Sequence, residues 1–395
     1  MMISKAFKTV FKKEVMENLR DKRTMVSSVI LGSFLGPLMA LGLIYMSVQM
    51  GKDKAEKQLE LPVVNMEYAQ NLEKHLLSQD VKIVTLEKSP EDAIKDKDYD
   101  VVLAISEDFA DSMAQAKPAK VMLYFDDSAK GAASVSVRRV KGLINAYSSQ
   151  IGAMRLQLRG VSPGLMQVVT IEQHDQATAQ SKGAQLLMFL PYFLIMGLFM
   201  GSMYLAIDTT AGEKERKSLE PLFLNPVSRV QVLAGKLAAT VSFGLLTLVL
   251  TLIAFKLTMP FYPTKSLGMT LSLSLADMGL MLLILIPLAL VAGSIQTIIA
   301  AFSKSFKEAQ TYVSFVIFIP LVPSMLLMFL PVKEKLWMIA TPILSHNILV
   351  GKLIRGEAVA WFDVGVCILG TLIVGGLLAW IAVRLYNKEN MLFAD

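Results

Sequence analysis

Residues 184–207 read AQLLMFLPYFLIMGLFMGSMYLAI, without one charged side chain. At 1.5 Å per helical residue a stretch of this length reaches across the roughly 30 Å of a bilayer's hydrocarbon core. Five more runs share the character: Met25–Val48, Val232–Phe255, Met278–Ala301, Thr311–Leu330 and Val364–Val383. Pro191, Pro287 and Pro320 interrupt some of them, as neighbouring helices in a membrane permit. The expected fold is therefore a membrane all-α bundle of six transmembrane helices. Composition agrees, with 54% hydrophobic and 18% charged residues in a chain of 395. That is too little charge to cover a soluble surface of this size.

Between the first run and the second lies a stretch of different chemistry. Gly51–Gly183 holds 17 Lys and Arg against 19 Asp and Glu, and the remainder holds 22 against 14. The basic excess travels with the apolar runs, which suits loops beside anionic lipid and not a nucleic-acid groove. Within the stretch, strand patterns at Leu61–Asn65, Val81–Leu86, Val101–Ser106 and Val121–Phe125, and a weaker one at Met166–Ile171, alternate with helical ones at Ala69–Leu77, Pro90–Lys95 and Asp108–Ala116. This predicts an inserted extracytoplasmic α/β domain with a largely parallel sheet. Val140, Leu143, Ile144, Tyr147, Ile151, Met154 and Leu158 recur at three and four, a helical stripe for packing on the sheet or on a second copy.

The expected boundaries are a cytoplasmic amphipathic helix at 1–24, a first span at 25–48, the outer domain at 49–183, and five spans at 184–395 with a cytoplasmic segment at 208–231. In Ser4–Arg23, Phe7, Val10, Phe11, Val15 and Leu19 share one face opposite lysines, so the helix would lie flat on the inner membrane surface or stand as a cytoplasmic stub. The first run is too long for a signal h-region and reads as an uncleaved anchor. Lys and Arg place both termini in the cytoplasm of a multi-pass chain in a bacterial inner membrane. Pro331–Asp363 fits poorly, since it should lie outside yet carries Lys333, Lys335, Lys352 and Arg355. Its apolar part, Trp337–Val350, could dip into the membrane or lie on it.

No catalytic constellation is present. His75, His174 and His346 lack metal spacing, and the lone Cys367 rules out a cysteine-based zinc site. There is no G-x-x-x-x-G-K-[ST], so the chain binds no ATP through a P-loop of its own. The most informative segment is Asp208–Lys236, DTTAGEKERKSLEPLFLNPVSRVQVLAGK. Thr210 and Glu213 match a capping box, Pro221 ends or bends the helix near Glu220, and Asn225–Pro226 match the N-cap and first turn of the next helix. Leu219, Leu222 and Phe223 would give this short charged helix an apolar edge. It reads equally as a docking element for a partner or as a solvated connection.

Glu213–Arg229, EKERKSLEPLFLNPVSR, resembles the signature of permease subunits of type-2 ABC exporters, matching at Glu213, Glu215, Leu219, Glu220, Pro226 and Arg229, with Gly235–Lys236 following. It departs at Lys217, where that family carries Gly. The layout is similar over the whole chain, most closely to the NatB-like sodium-extrusion permeases. The resemblance implies a permease, not an enzyme, working as a pair with two copies of a separate ATP-binding subunit. The 208–224 helix would be the coupling element, with Glu213, Glu215, Arg216, Leu219, Glu220 and Arg229 facing that partner. ATP would act through the partner alone.

For the cargo, Na⁺ or another small cation leads, with lipid, drug or peptide as alternatives. A Na⁺ path needs oxygen at membrane depth, for which Asp208, Ser294, Gln296 and Thr297 are the main candidates, beside Ser242, Thr247, Thr251 and Asp277. Two readings of other classes stand beside the exporter. A sensor or scaffold with an external ligand-binding domain would need a larger cytoplasmic output region. A secondary transporter would be expected to show internal repeats, and the two halves show none.

Overall fold

The computed structural model describes residues 5–22, 25–56, 58–86, 88–126, 132–166, 172, 177–219, 226–264, 269–329 and 333–387. Two compact units divide it, one of Met1–Tyr45 with Gln176–Asp395, the other of Met46–Asp175. The chain opens with α1 (Lys5–Arg20), then a π-helical turn (Met25–Ile30) and α2 (Leu31–Glu56).

The smaller unit is an α/β layer. In order come β1 (Leu59–Val64), α3 (Gln70–Ser78), β2 (Val81–Thr85), α4 (Pro90–Lys95), β3 (Val101–Ile105), α5 (Phe109–Ala114), β4 (Val121–Phe125) and α6 (Ala132–Leu158). The sheet order is β2-β1-β3-β4. β1 runs parallel to both β2 and β3, and β4 closes the edge antiparallel to β3. The β-branched run of β3 is buried along its whole length, as expected for a strand covered on both faces. Ser89 caps α4 by accepting from Asp92 N at 3.1 Å, with Pro90 at the first helical position. The stripe of α6 meets the sheet core through Val140, Leu143, Ile144, Tyr147 and Ile151. Met154 and Leu158 continue it but are 51% and 84% exposed. The weak fifth strand is absent at Met166, which closes a 3-10 turn, and residues 167–171 lie outside the described ones.

The larger unit continues with α7 (Ala179–Ala184), α8 (Leu190–Ile207), α9 (Arg229–Thr258), α10 (Leu275–Phe302), α11 (Phe306–Val316), α12 (Leu321–Phe329), α13 (Leu336–Ala340), α14 (Leu344–Arg355) and α15 (Trp361–Tyr386). Among the described residues, five helical stretches are long and apolar enough to cross a membrane, in place of the six expected. They are Ala179–Glu215, Arg229–Phe261, Leu275–Phe302, Phe306–Leu327 and Trp361–Tyr386. The first expected run is represented by Leu31–Met46, a shorter apolar helix.

Small residues set the packing of α8 on α9. A Cβ on Gly201 would fall 2.1 Å from Thr247 Oγ1 and 3.0 Å from Phe243 O, so the backbones meet where only glycine fits. Gly197 repeats the contact four residues earlier against Thr251. The apolar stripe of α1 also finds protein, since Phe11 and Val15 pack with Val29, Leu205, Ala239 and Phe243. The fourth span is broken, because Pro320 and Pro323 lack the N–H groups that would bond the Val316 and Ile319 carbonyls. The chain turns at 317–320, with Leu321 N bonded to Phe318 O at 3.0 Å. α13 and α14 bury Met338, Ile339, Leu349, Val350, Leu353 and Ile354 in the main helical core. Most of the apolar part of the awkward 331–363 segment is thus covered by other helices, though Trp337 is 60% exposed.

Candidate functional site

The expected short helix starting at Thr210 is not formed. α8 does not end; it widens into a π-helical turn over Asp208–Gly212 and runs on through Glu213–Glu215. Thr210 is buried inside that turn with helical neighbours on both sides, so it caps nothing. Local sequence matched a capping box, but the packed helix satisfied the same N–H groups first. π turns of this kind are concentrated at functional positions. The end comes at Lys217, which takes a left-handed φ of 54°. Lys217 N bonds Lys214 O at 3.0 Å and Ser218 N bonds Glu213 O at 3.0 Å, the paired bonds of a Schellman end. Lys217 thus occupies the position where glycine is easiest.

Of the residues read as partner contacts, Glu213 is turned inward and only 5% exposed. Its Oε2 accepts from Lys236 Nζ on α9, and Lys236 is itself 2% exposed. Lys236 Nζ also donates to Thr209 O at 2.9 Å. From α1, Lys13 Nζ reaches Glu213 Oε1 at 3.4 Å and Glu14 Oε1 at 3.1 Å. Tyr386, at the end of α15, donates its hydroxyl to Thr209 O at 3.3 Å. Four stretches of chain thus close on one node, where Lys236 and Lys13 meet Glu213 and Glu14, with Glu17 also 3.5 Å from Lys13. Burial pushes the Glu14 carboxyl above its ordinary value, against the pull of Lys236 and Lys13. Burial works to lower the Lys13 ammonium, but Glu14, Glu213 and Glu17 together hold it above the ordinary lysine value.

The Gly–Lys pair at 235–236 now has two separate jobs. A Cβ on Gly235 would lie 3.0 Å from Val10 Cβ and 3.1 Å from Phe7 O, so the glycine lets α1 pass. Lys236, one residue on, supplies the buried cation. Glu14 and Tyr386 were absent from the sequence candidates, and Lys236 was named only as part of the Gly235–Lys236 pair. Glu14 left a signal, for it falls on the apolar stripe of α1, seven residues after Phe7 and three after Phe11.

The other candidates scatter. Asp208 accepts from Arg216 Nη1 at 2.9 Å. Glu215 Oε2 accepts from Phe306 N at 2.6 Å, at the start of α11. Leu219 is buried with Leu233, Ala382 and Tyr386. Arg229 donates to Asn387 O at 3.4 Å, and α9 begins at Arg229 and not at Pro226, with Ser228 as its N-cap residue. Glu220, Pro221, Leu222, Phe223 and Asn225 lie outside the described residues.

In the apolar bundle, Gln296 is buried and holds α10 to α8, accepting from Ser202 Oγ and donating to Phe199 O, both at 2.8 Å. Thr297, Ser242, Thr247 and Thr251 bond carbonyls of their own helices, the usual state of membrane hydroxyls. Asp277 forms the capping box of α10 with Ser274. Ser294 Oγ is buried without a hydrogen-bond partner among the described residues. Asp208, Ser294, Gln296 and Thr297 do not converge on one another through hydrogen bonds, and among the described residues no three His, Cys, Asp or Glu could hold a metal ion.

Residues 27–383 match the family model described as ABC-2 family transporter protein. The chain is 30% identical over 320 residues, 80% of each protein, to the ABC transporter permease protein NatB of Bacillus subtilis (strain 168).

Proposed function

The chain belongs to the ABC-2 family of transporter proteins, and from that premise we propose that it is the membrane-spanning permease of an ATP-driven complex exporting Na⁺ or another small cation. An ATP-binding subunit drives it, and two permease chains form the pathway. The observation that carries the reading is the node at Glu213 and Lys236. It fixes the segment after α8 to α1, α9 and α15 at once. A push on that segment would be transmitted to three other helices without slack, which is the property a coupling element needs. Glu215, Arg216 and Lys217 stay exposed on it and remain available to a partner.

In the proposed topology Leu31–Met46 is the core of a sixth span, both termini are cytoplasmic and the 46–175 unit is external. Two of the basic residues of the 331–363 segment are paired within it. Lys352 pairs with Glu334 at 2.5 Å and lies 3.9 Å from Asp363, and Arg355 pairs with Glu357 at 2.5 Å.

The test is a pull-down of the tagged chain from detergent-solubilised native membranes, with mass spectrometry of what accompanies it. An ATP-binding-cassette protein in near-equal amount is the expected result. A chain that reproducibly emerges alone would overturn the reading.

A further inference from the structure

We infer that the cavity lined by α7, α8, α12 and α14 seats the phosphodiester head group of a membrane phospholipid, whose acyl chains leave along the start of α8 and along α12. The inference concerns a resident lipid and holds whatever cargo the chain carries.

The cavity holds about 290 Å³. Ligand pockets run from about 300 to 1,000 Å³, so this one takes a head group and the first methylenes of its chains. Asn347, Gly351 and Arg355 line it from α14. Spaced by four, they follow one another along one face of the helix. The glycine leaves a gap in that face. A Cβ on Gly351 would lie 3.3 Å from Arg355 Nη1, so the guanidinium folds back over Gly351 toward Asn347. One helical turn, about 6 Å, separates Gly351 from Asn347. That distance suits a phosphate held from both sides by hydrogen bonds of about 2.9 Å.

The hydrogens left over decide the charge of the occupant. Asn347 is 7% exposed. Its Oδ1 lies 2.8 Å from Ser324 Oγ, and one hydrogen of its Nδ2 goes to Ile343 O at 2.8 Å. Ile343 has φ 69° and ψ −53°, with Leu344 N bonded to Pro342 O at 2.8 Å. This is the strained γ-turn with positive φ, rare for any residue and most unfavourable for a β-branched one. Asn347 pins that turn and, through Ser324, the piece of helix that follows the break at 317–320. Among the described residues the second hydrogen of Asn347 Nδ2 has no acceptor. The two hydrogens of Arg355 Nη1 have none either, because Glu357 takes only the Nε and Nη2 edge, at 2.5 and 3.0 Å. At both residues the acceptors are engaged and donors remain, and among the described lining residues Arg355 alone is charged. A phosphate oxygen meets both demands, and its bond to a guanidinium is charge-assisted.

The rest of the lining is ordered like a lipid. Arg355 ends α14 just before Gly356, and there Gln180 Nε2, at the start of α7, donates to Ile354 O at 3.4 Å. The polar end of the cavity is therefore at the mouth of the Ala179–Glu215 span. Leu187 and Met188, about two turns further along that span, form an apolar wall with Leu327. Met188 is 47% exposed, so the wall runs out to the surface of the bundle. Head at the mouth and chains along the span is the posture of a phospholipid in its leaflet, which in the proposed topology is the outer one. A free anion would leave the apolar half empty.

The experiment titrates phosphatidylglycerol into the purified full-length chain in a neutral detergent, reading the melting temperature and the bound lipid by native mass spectrometry. Wild type is expected to bind one lipid per chain saturably and to melt higher with it. Arg355→Gln keeps the length of the side chain and removes its charge, and Gly351→Leu fills the gap while leaving both donors. Each is expected to raise the half-saturating lipid concentration at least about tenfold, the loss of one good contact. Arg355→Gln decides alone if Gly351→Leu does not fold. Diacylglycerol, with the chains and no phosphate, and inorganic phosphate, with no chains, are expected to leave the melting temperature unmoved. Unchanged half-saturation in Arg355→Gln overturns the site. Equal stabilisation by diacylglycerol overturns recognition of the head group, and equal stabilisation by inorganic phosphate overturns the lipid in favour of a free anion. Wild type without saturable phosphatidylglycerol overturns the inference outright.

Discussion

Lys236 and Asn347 are both buried polar side chains that hold separate parts of the larger unit together, yet they do so by opposite means. Lys236 stands between two carboxylates and the Thr209 carbonyl of the π-helical turn that continues α8. Asn347 joins two pieces of irregular backbone through neutral hydrogen bonds. A buried ion pair is stiff, because leaving either charge unpaired is costly. A neutral bond can be exchanged for a bond to water or an ion at little cost. The charged region is therefore the stiffer of the two, and the neutral one yields more readily. Substitutions at each should separate these properties.

The largest effect is expected at the charged node. Lys236→Met leaves Glu213 and Glu14 buried with only the half-exposed Lys13 to answer them, at a cost of about 3–5 kcal/mol. Titration into a denaturing detergent would measure it. Adding Glu213→Gln should restore most of the loss, since an absent pair costs far less than a broken one. If the single and double variants prove equally unstable, Lys236 acts by packing and not by charge.

At the neutral region the probe is Ile343→Gly. Glycine relieves a γ-turn that costs about 1–3 kcal/mol, but it also removes a side chain only 6% exposed. Deleting a buried aliphatic side chain costs about 2–5 kcal/mol, so net destabilisation of about 2 kcal/mol is expected. A variant more stable than wild type would show that the turn stores more strain than the core returns.

These two regions were unequally legible. The inserted sheet followed directly from alternating β-branched runs, and its four main strands lie within two residues of the pattern at each end. Five of the six expected spans followed from apolar length, and the first run gave a shorter apolar helix among the described residues. The node did not, because Glu213 reads as a surface charge until the fold places Lys236 beside it. The Thr210 box matched a local rule that a continuing α8 overrode. The γ-turn at Ile343 left no trace, since nothing in Thr341–Leu344 is glycine or asparagine. Pro320 and Pro323 were visible, but one proline in a span is ordinary and only their spacing of three marks a break.

The pH response offers a smaller test of the charged node. Glu14 has a folded pKa raised above its ordinary 4.5, so the folded chain holds that proton to higher pH than the unfolded one. Stability should then fall as pH rises through the window from about 4.5 upward, by less than about 1.4 kcal/mol per pH unit. Lys13 has its folded value raised, so its contribution is fully present below 10.5 and disappears only on the alkaline side. It adds no slope in the acidic window. Melting curves between pH 4 and 8 should show the slope in wild type and a flatter profile in Glu14→Gln. An identical profile would place Glu14 in contact with water.

The smallest effect has the opposite sign and completes the comparison of the two regions. Lys217, like Ile343, is a non-glycine residue at positive φ, but its side chain is exposed and lies at a helix end instead of in the core. Left-handed backbone costs an ordinary residue about 1–2 kcal/mol. Glycine removes that cost and returns about half to one kcal/mol through the greater freedom of its unfolded chain. Because no buried side chain is lost, Lys217→Gly should stabilise by about 0.5 kcal/mol, where Ile343→Gly destabilises. The Lys217 N–H and Ser218 N–H would keep their bonds to Lys214 O and Glu213 O, so Glu213 would stay turned toward Lys236. Destabilisation by Lys217→Gly would mean that the lysine side chain itself holds the segment, and the contacts that fix the end of α8 would then extend to Lys217.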